Sequence, residues 1–251
     1  MSLGRRPALR DLVAPGALKQ RRLEPYARAG GVGERDRARR GASRIQHTGG
    51  PGPPEPLDHE RLFETASAQA GYFTTEQAVD HGFSSALLTH HTKTGRFVRV
   101  ARGLYRLRDY PSAPNEEIVV AWLRQSPSAV VSHESALELL GLSDVIADRV
   151  HLTVPRERRR LAPQAGVTFH TTTHPLGDGD IITRHGVRLT APARTIVDVA
   201  AVGVSPDQVA AAIRQALGRG LTTPGMLREA ARSRGRRVQR LIEAALAGSP
   251  Q

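Results

Sequence analysis

The chain has no cysteine among its 251 residues. Disulfide scaffolds, thiolate zinc sites, iron–sulfur clusters and cysteine nucleophiles are therefore excluded. Aromatic residues make up 4% and apolar residues 39%, enough for a core but under the usual roughly 45–50% that also counts glycine. No run approaches the roughly 18 uncharged apolar residues of a membrane span, and the arginine-bearing N-terminus lacks the continuous apolar stretch of a secretory signal. The expectation is a soluble, cytoplasmic protein without a membrane partner. Lysine is almost missing too: Lys19 and Lys93 are the two lysines among 36 basic residues. Bidentate recognition of phosphate or guanine favours arginine, and so does a GC-rich coding sequence. The net charge of +12 and the pI near 11.3 agree with a polyanionic partner, but the charge gains meaning only where it is localised.

At roughly 150 residues per domain the length allows one or two domains. Residues 1–57 carry 12 basic and 5 acidic side chains with 9 Gly and 7 Pro, and close on Pro51-Gly52-Pro53-Pro54-Glu55-Pro56. Arg5, Arg6, Arg21, Arg22, Arg39 and Arg40 recur without apolar periodicity. Such a segment cannot bury enough surface to offset its ordering entropy, so a disordered basic arm is expected. It either adds nonspecific DNA affinity or lies ahead of a natural start near Leu57.

From Leu57 the pattern changes. Leu62, Phe63, Ala66 and Ala70 have helical spacing, stopped at Gly71. Thr74 and Gln77 fit a capping box for a helix of about two turns. After Gly82-Phe83, Ser84 starts a third helix through Thr94, closed by Gly95. Two short helices around a tight glycine turn match a helix-turn-helix. Phe97–Val100 and Leu104–Leu107, joined at Ala101-Arg102-Gly103, read as a hairpin. Together these predict a winged helix-turn-helix over residues 58–110.

Charge assigns the sides. Asp58–Phe83 holds five acidic residues and Arg61, whereas Ser84–Arg108 holds Lys93, Arg96, Arg99, Arg102, Arg106 and Arg108 with no acid. The third helix and the wing are the positive face, as a major-groove helix with a phosphate-contacting wing requires. With Leu88 and Thr92 turned inward, Ser84, Ser85, Thr89, His90 and Lys93 should face base edges, where Ser and Thr are versatile and Lys93 suits guanine or phosphate. Arg96, Arg99, Arg102 and Arg106 complete the expected DNA-binding set. A solvated basic face without a partner is the plainer alternative.

The runs Gly71-Tyr72-Phe73-Thr74-Thr75-Glu76-Gln77-Ala78, Gly82-Phe83-Ser84-Ser85 and Gly95–Tyr105 resemble the N-terminal domain of AbiEi-family antitoxins of type IV toxin–antitoxin systems. Leu189–Ala200 (LTAPARTIVDVA) resembles the family's C-terminal TxxARTxxDxA stretch. The similarity spans roughly residues 58–245. It implies a transcriptional repressor of its own promoter. It also implies a C-terminal domain countering a nucleotidyltransferase-like toxin, typically without a stable complex.

Residues 111–251 read as a mixed α+β domain with a small sheet and a helical tail. Asn115 and Ser132 are expected caps for helices carrying Ile118, Val119, Trp122, Leu123 and Ala136, Leu137, Leu139, Leu140; Trp122 should be core. Strands are expected at Val150–Val154, Val167–Thr172 and Ile181–Thr190, and helices at Pro192–Ala201, Pro206–Leu217 (capped by Ser205 with Gln208) and Pro224–Arg234 (capped by Thr223). Catalytic signals are missing: no G-x-x-x-x-G-K-[ST] loop exists, and residues 111–251 contain no lysine for an acid–x–Lys nuclease element. His170 and His174, four apart on a strand, would lie about 13 Å apart, too far for one ion. Ser132, His133 and Glu134 are consecutive and should diverge at a helix start. No catalytic residue, metal site or cofactor is expected. Arg194 and Asp198 fit an i,i+4 pair worth a few tenths of a kcal/mol. Arg156, Arg158, Arg159 and Arg160, and Arg228, Arg232, Arg234, Arg236, Arg237 and Arg240, are two basic clusters; with Arg228/Arg232 and Arg236/Arg240 each four apart, the second forms either a positive ridge along a helical tail or a solvated helix face.

The reading is an α+β chain with three parts: a basic arm (1–57), a winged helix-turn-helix (58–110) and an antitoxin domain (111–251). It binds double-stranded DNA at its own promoter, and 58–110 alone should retain that binding. Two alternatives stand: a stand-alone winged-helix regulator without a toxin, and an RNA-directed or catalytic protein using the C-terminal arginines.

Overall fold

The computed structural model describes residues 57–142, 144, 147–172 and 176–248. Residues 1–56 of the basic arm and His174 lie outside them. The architecture is α+β, as expected.

The first part has three helices, α1 (His59–Ala68), α2 (Thr75–Asp80) and α3 (Ser85–Lys93), and three antiparallel strands, β1 (Tyr72–Thr74), β2 (Phe97–Ala101) and β3 (Leu104–Leu107), in the order β1-β3-β2. Short-range chemistry starts each helix. Asp58 accepts from the Arg61 amide, Thr74 and Gln77 form the expected capping box, and Ser84 accepts from the Leu87 amide. Strand β1 was not anticipated, since three residues cannot display an alternation. Leu62, Ala66, Phe73, Ala78, Phe83, Leu88 and Phe97 form a small core beneath the helices.

Gly71 separates α1 from β1 at φ +84°, a left-handed conformation that costs any side chain. A Cβ there would also lie 2.6 Å from the Tyr110 ring. Gly71→Ala should therefore lose about 2 kcal/mol, read as a lower urea midpoint with an unchanged m value.

The second part is built on a five-stranded mixed sheet, ordered β6 (Val167–Thr171), β5 (Val150–Val154), β4 (Val130–Val131), β8 (Val187–Thr190), β7 (Ile181–Arg184). The β5–β6 and β4–β8 pairs are parallel; β4–β5 and β7–β8 are antiparallel. Helices α4 (Glu116–Leu123), α5 (His133–Leu140), α6 (Pro192–Val202), α7 (Pro206–Gly218), α8 (Pro224–Ala231) and α9 (Gly235–Ala247) complete it. Trp122 is buried, and its indole N–H donates to the Ala129 carbonyl.

Three expected caps differ. Asn115 takes a left-handed conformation (φ 62°) and makes no side-chain cap, nor do Ser132 and Ser205, so the Ser205–Gln208 capping box does not form. Thr223 does cap, accepting from the Met226 amide. The helix expected over 224–234 stops at Ala231, and a separate α9 begins at Gly235.

The two parts share packing. Strand side chains alternate faces, so Phe73 and Tyr105 face the small core while Tyr72, Leu104 and Arg106 face the other way. Tyr72, Val100 and Leu104 accordingly belong to the same buried cluster as Ile118, Trp122 and Leu152. The Tyr72 hydroxyl donates to Glu116 at 2.9 Å, the Tyr110 hydroxyl donates to the Ser67 carbonyl, and Gly186 in the β7–β8 turn lies against Ala68 and Gln69. A fragment ending at residue 110 would expose Tyr72, Val100 and Leu104.

Candidate nucleic-acid interface

Helix α3 is fixed by its inner side. Leu88 and His91 are buried, and the His91 ring packs on Phe97 and Phe83 with centroids 5.0 and 5.8 Å away. Burial holds the His91 pKa below its ordinary value, with Arg96 adding to the effect, so this imidazole is an uncharged packing group. At 100° per residue, Ser85, Ala86, Thr89, His90 and Lys93 fall within a sector of about 140° opposite Leu88 and His91, and all five are exposed. Ser84 is exposed too, although its hydroxyl serves the helix start. The Thr89 hydroxyl donates to the Ser85 carbonyl, leaving its lone pairs and methyl outward.

The hairpin stands next to this helix. Arg99 is exposed on β2, and Arg102 is exposed in the turn with Gly103 at φ 73°. The Thr75 amide donates to the Gly103 carbonyl at 2.9 Å, which ties the hairpin tip to α2. Arg96 and Arg108 are exposed at the hairpin base, with the Arg108 guanidinium reaching the Gly95 carbonyl.

Arg106 departs from the expectation. It shares the inward face of β3 with Leu104, opposite Tyr72. Its guanidinium donates to the Tyr110 and Pro111 carbonyls and to Glu116, and lies 5.4 Å from the Tyr72 ring centroid. It joins the two parts of the molecule and is removed from the candidate contact set. The period-two position relative to Leu104 was the available signal.

The C-terminal arginines divide: some are engaged, while Arg236 and Arg240 are exposed. Arg228 pairs with Glu243 at 2.9 Å, Arg232 with Glu229 at 2.9 Å, and Arg237 donates to the Ala200 and Ala201 carbonyls. Arg158 bonds the Ser128 hydroxyl and the Gln125 carbonyl, whereas Arg156, Arg159 and Arg160 are exposed. Because the chain breaks between α8 and α9, Arg228 and Arg232 do not continue into Arg236 and Arg240 on one helix.

Arg194 and Asp198 are bonded as expected, but in the interior. The Arg194 Nε lies 3.0 Å from both Asp198 oxygens, Arg234 reaches Asp198 at 2.6 Å, and Asp180 lies 3.5 Å from Arg194. This network ties α6 to the start of α9. No helix among the described residues is long and apolar enough to cross a membrane.

Comparison with known proteins places a family pattern on the first part. Residues 60–108 match the model described as "Transcriptional regulator, AbiEi antitoxin". No curated protein matches the chain. The solved structure titled "Crystal structure of RV2827C protein from Mycobacterium tuberculosis" is similar over 78% of this chain and 81% of that one, with 15% identity and a TM-score of 0.47. The segment from α1 to the end of the hairpin, residues 60–108, thus carries the sequence pattern of AbiEi antitoxin transcriptional regulators, the resemblance first read from its glycine, capping and hairpin residues.

Proposed function

We propose that the protein is a DNA-binding autorepressor and the antitoxin of a type IV toxin–antitoxin pair. Residues 58–110 act as a winged helix-turn-helix, with α3 in the major groove and the β2–β3 hairpin on the phosphate backbone; residues 111–251 act on the toxin side. The partners are its own promoter DNA and a nucleotidyltransferase-like toxin held without a stable complex. The observation that carries the reading is the exposure of Ser85, Thr89, His90 and Lys93 on α3 and of Arg99 and Arg102 on the hairpin, in a stretch (residues 84–108) with no acidic residue, on a segment matching a transcriptional-regulator family. The helix supplies groups suited to base edges and the hairpin supplies charge.

The test is a salt titration of the full-length chain on its own upstream duplex. Lys93→Ala and Arg99→Ala should each weaken binding and reduce the log–log salt slope by about one. Arg106→Ala should instead lower stability while leaving that slope nearly unchanged. Parent-like slopes for both Lys93→Ala and Arg99→Ala would overturn the site assignment. A nucleotidyltransferase gene beside this one favours the antitoxin over a stand-alone regulator.

A further inference from the structure

Sheet register brings together residues far apart in sequence. Strands β5 and β6 run parallel with His151 opposite Thr168, so His170, two residues on, is the diagonal neighbour of His151 on the same face. His170 Nε2 lies 3.2 Å from His151 Nδ1. Helix α5 starts directly above, and its first residue, His133, stacks on His170 with ring centroids 3.6 Å apart. One ring nitrogen from each of the three histidines can be chosen so that all lie within 4.8 Å of one another. Glu134 Oε2 is 2.8 Å from His151 Nδ1.

Three further features mark this as a built site. His133 is buried at φ 52°, a strained conformation for a side-chain-bearing residue that persists only where the surroundings impose it. Its Nδ1 lies 2.9 Å from the Ser132 hydroxyl, which in turn accepts from Thr153 at 2.8 Å. That arrangement orients the ring and leaves Nε2 free, as outer partners of metal-bound histidines do. The cluster also borders a cleft lined by Arg194, Asp198 and Arg234. Both arginines there are bonded to Asp198, so their charge is partly compensated.

We propose that His133, His151 and His170 form a binding site for a divalent transition-metal ion of the zinc type, with Glu134 as the outer partner that orients His151. Imidazole donors suit zinc and its neighbours, and three nitrogens at about 2.0–2.1 Å leave the fourth tetrahedral position to water or another small ligand. Such a shell separates nitrogens by roughly 3.4 Å, so closing the widest gap needs side-chain shifts on the order of 1 Å. Burial, with the neighbouring histidines, pushes His133 down to about 2, and burial with His151 pushes His170 down to about 4. Burial raises the Glu134 carboxyl pKa, but the His151 imidazole, a backbone hydrogen bond and His170 together hold the group below its usual value. The ion would pin the start of α5 to the β5–β6 edge. Reading His170 with His174 along one strand missed this, because the ligands come from three elements joined by strand pairing.

The test uses the full-length, untagged protein stripped with a chelator, then titrated with Zn²⁺ by calorimetry and with Co²⁺ by visible absorption. One tight equivalent of Zn²⁺ per chain is expected, with a Co²⁺ d–d band typical of low coordination. The double variant H151A/H170A should lose the band and at least tenfold in Zn²⁺ affinity. Glu134→Gln preserves size and should weaken Zn²⁺ by about tenfold, which keeps the proposal testable if the double variant misfolds. Absence of binding at 100 µM Zn²⁺, or Zn²⁺ affinity and a Co²⁺ band unchanged in Glu134→Gln or in the folded double variant, would overturn it.

Discussion

Asp198→Ala is expected to cost about 3–5 kcal/mol of folding stability, a large part of the roughly 5–15 kcal/mol typical of a native domain. The carboxylate is 2% exposed and is the common acceptor for Arg194 and Arg234, whose side chains are 8% and 19% exposed. Removing it leaves two positive groups in a poorly hydrated place, with Asp180 at 3.5 Å the nearest remaining countercharge to Arg194. The same i,i+4 pair on a solvent-facing helix would be worth a few tenths of a kcal/mol. Burial sets the magnitude here. Asp198→Asn keeps the shape and an acceptor oxygen and should cost less. Urea denaturation reads both variants; a loss under about 1 kcal/mol for Asp198→Ala would mean that water reaches the arginines and the network is screened.

Glu116→Ala should be nearly as damaging, at about 3 kcal/mol, because it leaves several donors without their acceptor. The Glu116 carboxylate accepts from the Tyr72 hydroxyl at 2.9 Å, from the Ala113 amide at 2.8 Å and from Arg106 at 3.4 Å. Burial first, and the Glu116 hydrogen bond second, push the Tyr72 hydroxyl pKa well above its usual value, so Tyr72 remains a donor throughout the accessible pH range. Tyr72→Phe should cost about 1.5 kcal/mol, as expected for one hydrogen bond to a charged group. The double variant should lose less than the sum of the singles, since both remove one contact. Strict additivity would show that Tyr72 and Glu116 are not coupled. The Glu116 clasp joins residues 58–110 to the rest of the chain. This shared packing also changes the expectation that residues 58–110 suffice by themselves, and it argues for testing function in the full-length protein.

What the sequence made legible follows from interaction range. Thr74 with Gln77, Ser84 and Thr223 were readable because a cap is a contact between residues three apart. Helices with a strong apolar face and the hairpin around Gly103 were readable for the same reason. Asn115, Ser132 and Ser205 have the right chemistry for caps. Tertiary demands overrode it: Ser132 serves His133 and Thr153, and Asn115 takes a left-handed turn into the buried α4. Strands β1 and β4, of three and two residues, are too short for a periodic signal and exist through their partners. The exposed sector of α3 was recovered from helical period alone, whereas the inward turn of Arg106 and the engagement of some C-terminal arginines depend on neighbours supplied by other elements. The histidine cluster is the extreme case, since its members are related by strand register.

The central claim is that α3 reads sequence while the hairpin supplies charge. It is tested most directly by the ratio of affinities for the protein's own upstream duplex and a scrambled duplex of equal length and composition, at fixed salt. The triple variant Thr89→Ala, His90→Ala, Lys93→Ala should collapse that ratio toward one. The pair Arg99→Ala, Arg102→Ala should weaken both duplexes together and leave the ratio close to that of the parent. A triple variant that still discriminates the two duplexes as the parent does, while folded, would contradict the account.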